Sequence, residues 1–470
     1  MSATGARILR CLVKVPPKLG SPVFLRTHHA SSAAVNQTCS SQLPFSSPYK
    51  KSYSSHETAM RIDSPEFHQI FTPQLRELAH LFERNGYELR IAGGAVRDLL
   101  MKKQPQDVDF ATTATPEQMK DMFTRENIRM INSKGEKHGT ITARMHDKEN
   151  FEITTLRIDR TTDGRHAEVE FTTDWKTDAE RRDLTINSMF LGLDGTLYDF
   201  FSGRSDLERC HIAFVGDPAT RIREDYLRIL RYFRFYGRIA RESNAHDAET
   251  LKAIKENGPG LGKISGERIW MELKKILTGN FAAELIHCIY DLDLPQYIGL
   301  PSGSDLQELH EVSRRSQPLH PHPVTLLSSL FKDENDVLAM EQRMKVSTEE
   351  RKTALFVVQE RGRKLHSKPL KPYQDIIVCS KEKNIVKYVE EVLKYQGESQ
   401  LLTDLRAWDA AKFPVTGKDL LGVGVPKGKG FGAVLDEVRQ WWLDSDFTAT
   451  REELLERLQE TRQESGKGNS

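Results

Sequence analysis

Apolar positions along the chain fall into two regimes. Between about residues 89 and 200, short apolar and β-branched runs alternate with turn residues: Leu-Arg-Ile-Ala at 89–92, Asp-Val-Asp-Phe at 107–110, Ile-Thr-Ala at 141–143, Phe-Glu-Ile-Thr at 151–154 and Val-Glu-Phe at 169–171. Runs of this length predict short strands, so this region reads as a small mixed sheet with flanking helices. From about residue 217 the spacing changes. Leu227, Leu230 and Phe233, and then Leu273, Ile276 and Leu277, recur at helical intervals, which predicts a mostly helical second part. Gly258-Pro259-Gly260, Pro301-Ser302-Gly303-Ser304 and the glycines between 422 and 432 punctuate it.

The 470 residues suffice for about three domains and a sizeable core. No run approaches the ~18 consecutive apolar residues of a membrane span. The net charge of +1 hides an asymmetry: residues 1–56 hold Arg7, Arg10, Lys14, Lys18, Arg26, Lys50 and Lys51 and no Asp or Glu, leaving the rest at −6. A basic, Ser-rich, acid-free start is the composition of a mitochondrial presequence, although a basic RNA-binding tail has the same composition. Met60 is a conceivable second start, giving a cytosolic or nuclear form. Cys11, Cys39, Cys210, Cys288 and Cys379 lie far apart, without a Cys-x-x-Cys pair, and read as thiols of a reducing compartment.

Three blocks carry candidate chemistry. In Ile91-Ala92-Gly93-Gly94-Ala95-Val96-Arg97-Asp98, a strand runs through a two-glycine turn into a helix start. Glycines permit close backbone approach, helix-start amides favour an anion, and Arg97 adds positive charge. Asp107 and Asp109 follow; at i and i+2 on a strand they share a face and can hold divalent cations through oxygen. The second block is Arg181-Arg182-Asp183-Leu184-Thr185-Ile186-Asn187, where Arg182 can bridge phosphate oxygens and Asp183 can accept from a ribose hydroxyl. The third is Glu224-Asp225-Tyr226-Leu227-Arg228-Ile229-Leu230-Arg231-Tyr232-Phe233-Arg234, read as one helix with Asp225 and Arg228 side by side. Taken singly these are a turn, a strand end, a charged helix start and an intrahelical ion pair.

Together they resemble the class II CCA-adding enzymes, tRNA nucleotidyltransferases of the polymerase-beta superfamily, over most of residues 60–440. The resemblance implies an α+β fold: a small mixed β-sheet nucleotidyltransferase head followed by an all-helical neck, body and tail. The expected division is presequence and linker 1–56, head 57–205, neck 206–285, body 286–405 and tail 406–470. It further implies that Asp107 and Asp109 bind two catalytic Mg²⁺ ions, that Gly94, Arg97, Arg182 and Asp183 contact the nucleotide, and that Arg231 and Arg234 reach its phosphates. Asp225 and Arg228 would act as a protein template. Cytosine and adenine both show an amine donor beside a ring-nitrogen acceptor, matching a carboxylate plus a guanidinium; uracil and guanine show the inverse pattern and leave charges unpaired.

By the same resemblance, the charged stretch 157–168 is a mobile loop, residues 264–273 form a neck helix, and Lys418, Lys427 and Lys429 in the Gly-rich tail touch the outer part of the tRNA. Glu152 is a further carboxylate, expected to form a structural salt bridge rather than to join the metals. The implied reaction is attack of a tRNA 3′-hydroxyl, activated by Mg²⁺, on the α-phosphorus of CTP or ATP, with release of pyrophosphate. The rivals are a poly(A) polymerase of the same superfamily and a catalytically silent RNA-binding protein. The oligomeric state, monomer or homodimer, is open.

Overall fold

The computed structural model describes residues 60–131, 133–162, 167–363 and 367–467; the expected presequence lies outside the described residues, as do Cys11 and Cys39. Nine strands are present among them: β1 (Leu89–Ala92), β2 (Asp109–Thr112), β3 (Arg129–Ile131), β4 (Thr140–Met145), β5 (Glu149–Thr155), β6 (Arg157–Thr162), β7 (Ala167–Phe171), β8 (Phe190–Gly192) and β9 (Leu197–Tyr198). Seven form one sheet in the order β3-β4-β5-β2-β1-β8-β9, and β6 and β7 pair as a separate antiparallel ribbon. Within the sheet β2 and β5 run parallel, and the other neighbours antiparallel.

Alternation along the strands gives each sheet face its own core. Ile91, Phe110 and Ile153 point to one face, where they meet Leu78, Phe82, Val96 and Phe123 from the helices Pro73–Arg84, Gly94–Leu100 and Pro116–Arg125. Their neighbours Ala92 and Ala111 point to the other face and pack with Trp175, Ala179 and Phe190. Asp109 and Glu152 share the parity of Ala111, so they belong to this second face.

Two sequence expectations are corrected here. The second strand begins at Asp109, not Asp107, because its ladder with β5 starts at Asp109 opposite Glu152; Asp107 lies in the turn just before it. The stretch from 157 is no loop where it is described, since β6 and β7 form a ribbon with a register shift at Asp159–Thr161. Arg157 is not exposed either. Its backbone N–H donates to Asp178 Oδ1 (3.1 Å), and its guanidinium donates to the His138 carbonyl and to Asp159 Oδ1.

Beyond the sheet the chain is helical. Helix Pro218–Glu224, capped by Asp217 accepting from the Thr220 amide (2.7 Å), is followed by helix Arg228–Ile239. The latter buries Ile229, Leu230, Tyr232, Phe233 and Tyr236 against helix Gly266–Leu277 and its neighbours. One continuous apolar core runs from Leu184 to Leu405. A smaller core, built on Leu420, Val438, Trp442 and Leu458, holds together the helices Gly417–Gly422, Phe431–Asp444 and Arg451–Lys467. The chain is therefore α+β, a mixed-sheet head followed by helices. No described helix is long and apolar enough to cross a membrane.

Candidate active site

The second sheet face and helix Arg228–Ile239 border a cavity of about 1190 Å³. All ten residues that the sequence assigns to metal or nucleotide line it: Gly94, Arg97, Asp107, Asp109, Arg182, Asp183, Asp225, Arg228, Arg231 and Arg234. The strand, two-glycine turn and helix start lie where the sequence predicts them. Gly93 caps helix Gly94–Leu100 at φ 63°, and a side chain there would press on Arg182 Nη1 at 3.0 Å. Arg97 is buried, donating from Nη1 to Asn187 Oδ1 (2.5 Å) and from Nε and Nη2 to Asp98 Oδ1 (3.1 and 3.0 Å). Asp98 also accepts from Arg238 Nη2 (3.2 Å), which joins the head to helix Arg228–Ile239.

Asp109 and Glu152 are register partners on parallel strands, and Asp107 lies two residues upstream of Asp109. Burial, then the charges of Glu152 and Asp107, push the Asp109 carboxyl above its ordinary range, and Arg182 offsets only part of this. Among the described residues Glu152 forms no ion pair of the kind expected of it. Three neighbouring carboxylates that carry no hydrogen bond or ion pair among the described residues fit a divalent cation. They do not close a cage by themselves, since no such group of three side chains is preassembled among the described residues. An open carboxylate site of this kind suits Mg²⁺, which keeps waters and takes phosphate oxygens as further ligands.

The second block forms a tight polar cluster. Asp178, fully buried, pairs with Arg181 (2.7 Å) and Arg182 (3.1 Å). Arg182 Nη1 also donates to the Asn187 carbonyl (3.3 Å). Asp183 accepts from the Leu184 amide (2.9 Å) and from Arg231 Nε (2.6 Å). Burial alone would raise the Asp183 carboxyl; Arg231 and the amide more than offset it and hold it below the usual range.

The third block departs from the single helix expected. Helix Pro218–Glu224 stops at Asp225, whose backbone is extended (φ −151°, ψ 105°), and the next helix starts at Arg228. Asp225 and Arg228 therefore sit on either side of a helix break. Asp225 Oδ1 accepts from the Leu227 amide (3.1 Å) and Oδ2 from Arg268 Nη2 (2.7 Å). Arg228 donates to Glu224 Oε2 (2.6 Å) and to the carbonyls of Arg221 (3.1 Å) and Arg181 (2.7 Å). The carboxylate and guanidinium are held separately, with both side chains lining the cavity. Arg234 pairs with Glu272 (3.2 Å) on helix Gly266–Leu277. Sequence reading missed Glu224, Arg268, Asn187 and Glu272; Arg268 is 43 residues from its partner, beyond any local spacing rule.

Residues 89–213 match the family model of the poly A polymerase head domain, and residues 247–301 that of a probable RNA and SrmB-binding site of polymerase A. The mitochondrial CCA tRNA nucleotidyltransferase 1 of Homo sapiens is 57% identical over 406 residues, covering 86% of this chain and 93% of the human protein. The chain belongs to the CCA-adding enzyme family. Its CCA-adding relative from Enterococcus faecalis is 32% identical over 396 residues, 82% of this chain and 93% of that protein. The Bacillus stearothermophilus CCA-adding enzyme solved in complex with CTP is 26% identical with a TM-score of 0.67, covering 86% of this chain and all of that one. The Thermotoga maritima CCA-adding enzyme complexed with tRNA shares the fold at 20% identity and a TM-score of 0.63.

Proposed function

We propose that the cavity between the sheet and helix Arg228–Ile239 is the active site in which this enzyme adds CCA to tRNA 3′ ends, with the ten residues in the following roles. The addition itself is the activity of the family to which the chain belongs. The observation that carries the residue roles is convergence: ten positions chosen from three separate sequence blocks line one cavity.

Asp107 and Asp109 hold Mg²⁺, with Glu152 beside them. When bound, the metal would make the tRNA 3′-hydroxyl a better nucleophile and neutralise charge on the phosphates. Arg97, Arg182, Arg231 and Arg234 receive the triphosphate of CTP or ATP, and their paired acids fix each fork in place. Asp183, held ionised by Arg231, accepts from a ribose hydroxyl. Asp225 and Arg228 read the base edge. The helix break suits this role because the two groups are not spent on each other: separate partners, Arg268 for Asp225 and Glu224 for Arg228, fix each one at the cavity wall. Residues 1–56 serve as a mitochondrial presequence, in keeping with the mitochondrial names of the vertebrate relatives.

The test is single-turnover extension of a tRNA lacking its last three nucleotides, with and without Mg²⁺, using the full chain and Asp107→Ala. Metal-dependent addition that vanishes in Asp107→Ala while tRNA binding persists is the expected result. Retained addition would end the metal assignment. An A-only tail would move the activity to a poly(A) polymerase.

A further inference from the structure

Phe235 has no chemistry of its own, and no sequence block singles it out, yet it stands at the centre of the cationic wall. It is 4% exposed and still lines the cavity. Three guanidinium carbons surround its ring: Arg234 at 4.8 Å from the centroid, Arg97 at 5.0 Å and Arg231 at 5.6 Å. All lie within the ~6 Å at which a cation feels the ring quadrupole. Two come from the same helix, at i−1 and i−4, and the third comes from helix Gly94–Leu100 in the head.

Each guanidinium is also tied to an acid: Arg97 to Asp98, Arg231 to Asp183 and Arg234 to Glu272. Arg231 donates through Nε and Arg234 through Nη1, leaving their other nitrogens spare, while Arg97 donates through all three nitrogens and keeps only the second N–H of each Nη. Three like charges on one wall repel, and the acids that pair with them lie on three different segments, so no single acid gathers all three. All three guanidiniums meet at this ring. An aromatic face attracts all three, whereas an aliphatic side chain of similar volume would fill the space without that attraction.

We propose that Phe235 is a positioning residue for the nucleotide triphosphate, its ring holding Arg97, Arg231 and Arg234 in one fan with their spare N–H groups toward the phosphates. This rests on the phosphate-binding role proposed above for those arginines. It places Phe235 in binding of the triphosphate, common to CTP and ATP, and outside base choice.

The test replaces Phe235 in the full chain with mono-, tri- and pentafluorophenylalanine, which keep the ring's shape while progressively cancelling its quadrupole. KM for CTP and for ATP, kcat and the base selected are measured across the series. KM is expected to rise in parallel for both nucleotides, by about 3- to 10-fold at pentafluorophenylalanine, with base choice unchanged. Phe235→Tyr should stay near the wild-type KM, and Phe235→Leu should behave like the fully fluorinated ring. A flat KM across the series, alongside a raised KM in Arg231→Ala and Arg234→Ala, would overturn the role of Phe235 alone. Unchanged KM in those two arginine variants would overturn the phosphate reading and this inference with it.

Discussion

Asp109 lies opposite Glu152 in a parallel ladder, and burial and neighbouring charge both oppose its ionisation. A cation beside it would relieve both. Asp109→Ala should cut nucleotide incorporation by about 10²- to 10³-fold or more at saturating Mg²⁺, measured by single-turnover extension. Asp178 shows the opposite electrostatics, serving structure. Burial would raise its carboxyl, but Arg181 and Arg182 outweigh burial and hold it below the ordinary value. A depressed folded pKa contributes stability in full above the unfolded value, about 3.9, and that contribution is lost as pH falls through the folded value. Asp178→Asn should lose about 1.5–3 kcal/mol at neutral pH by weakening the charged hydrogen bonds to two part-buried guanidiniums, of which Arg181 keeps Asp159 and Arg182 keeps the Asn187 carbonyl. The variant should also show a flatter acid limb in thermal melts from pH 6 to 3. Equal losses at every pH would mean the residue acts through packing.

The decisive element is the break between helices Pro218–Glu224 and Arg228–Ile239, where Asp225 is extended. Tyr226 inside the break packs flat against Gly260, leaving no room for a Cβ. Gly260→Ala should push that ring and the adjoining Asp225. It should cost about 1–3 kcal/mol in denaturant unfolding and raise UTP misincorporation; intact selection with lowered stability would separate the break from base choice. The same element shows where sequence stops being legible. Residues 224–234 carry an uninterrupted helical pattern, and the interruption comes from contacts with Arg268, Arg181 and Gly260, all distant in sequence. The glycine turn and β1, β4 and β5 were readable because each carries its own local period. β3 and β9 are too short and exposed for that, and β8, buried on both faces, shows a plain apolar run without alternation. β7 was legible in Val-Glu-Phe at 169–171, but β6 was hidden by charge: Arg157 and Asp159 find partners in Asp178 and Arg181. Side-chain identities at the site were legible from motif resemblance, but their partners were not.

At the scale of the whole molecule, the cavity is lined by residues between Ala92 and Lys275, while the Gly-rich loop with Lys427 and Lys429 lies on the small separate core at the far end. Both lysines are exposed, and Gly428 and Gly430 beside them have positive φ (153° and 105°). Exposed lysines on such a loop suit backbone phosphates of tRNA. Lys427→Ala with Lys429→Ala should weaken tRNA binding across all tRNA sequences, reduce the salt dependence of binding by about one unit of slope per lysine, and leave KM for CTP unchanged. An unchanged salt slope would place the tRNA contact elsewhere. On the proposed reading, protein side chains, and no nucleic-acid template, choose the nucleotides. Its most direct test gives wild-type enzyme and Arg228→Ala a tRNA lacking its last three nucleotides, Mg²⁺ and all four NTPs at equal concentration, and sequences the 3′ ends. Wild type should end in CCA, and Arg228→Ala should extend more slowly with U and G among its products. Ends that remain strictly CCA in Arg228→Ala would contradict the template reading.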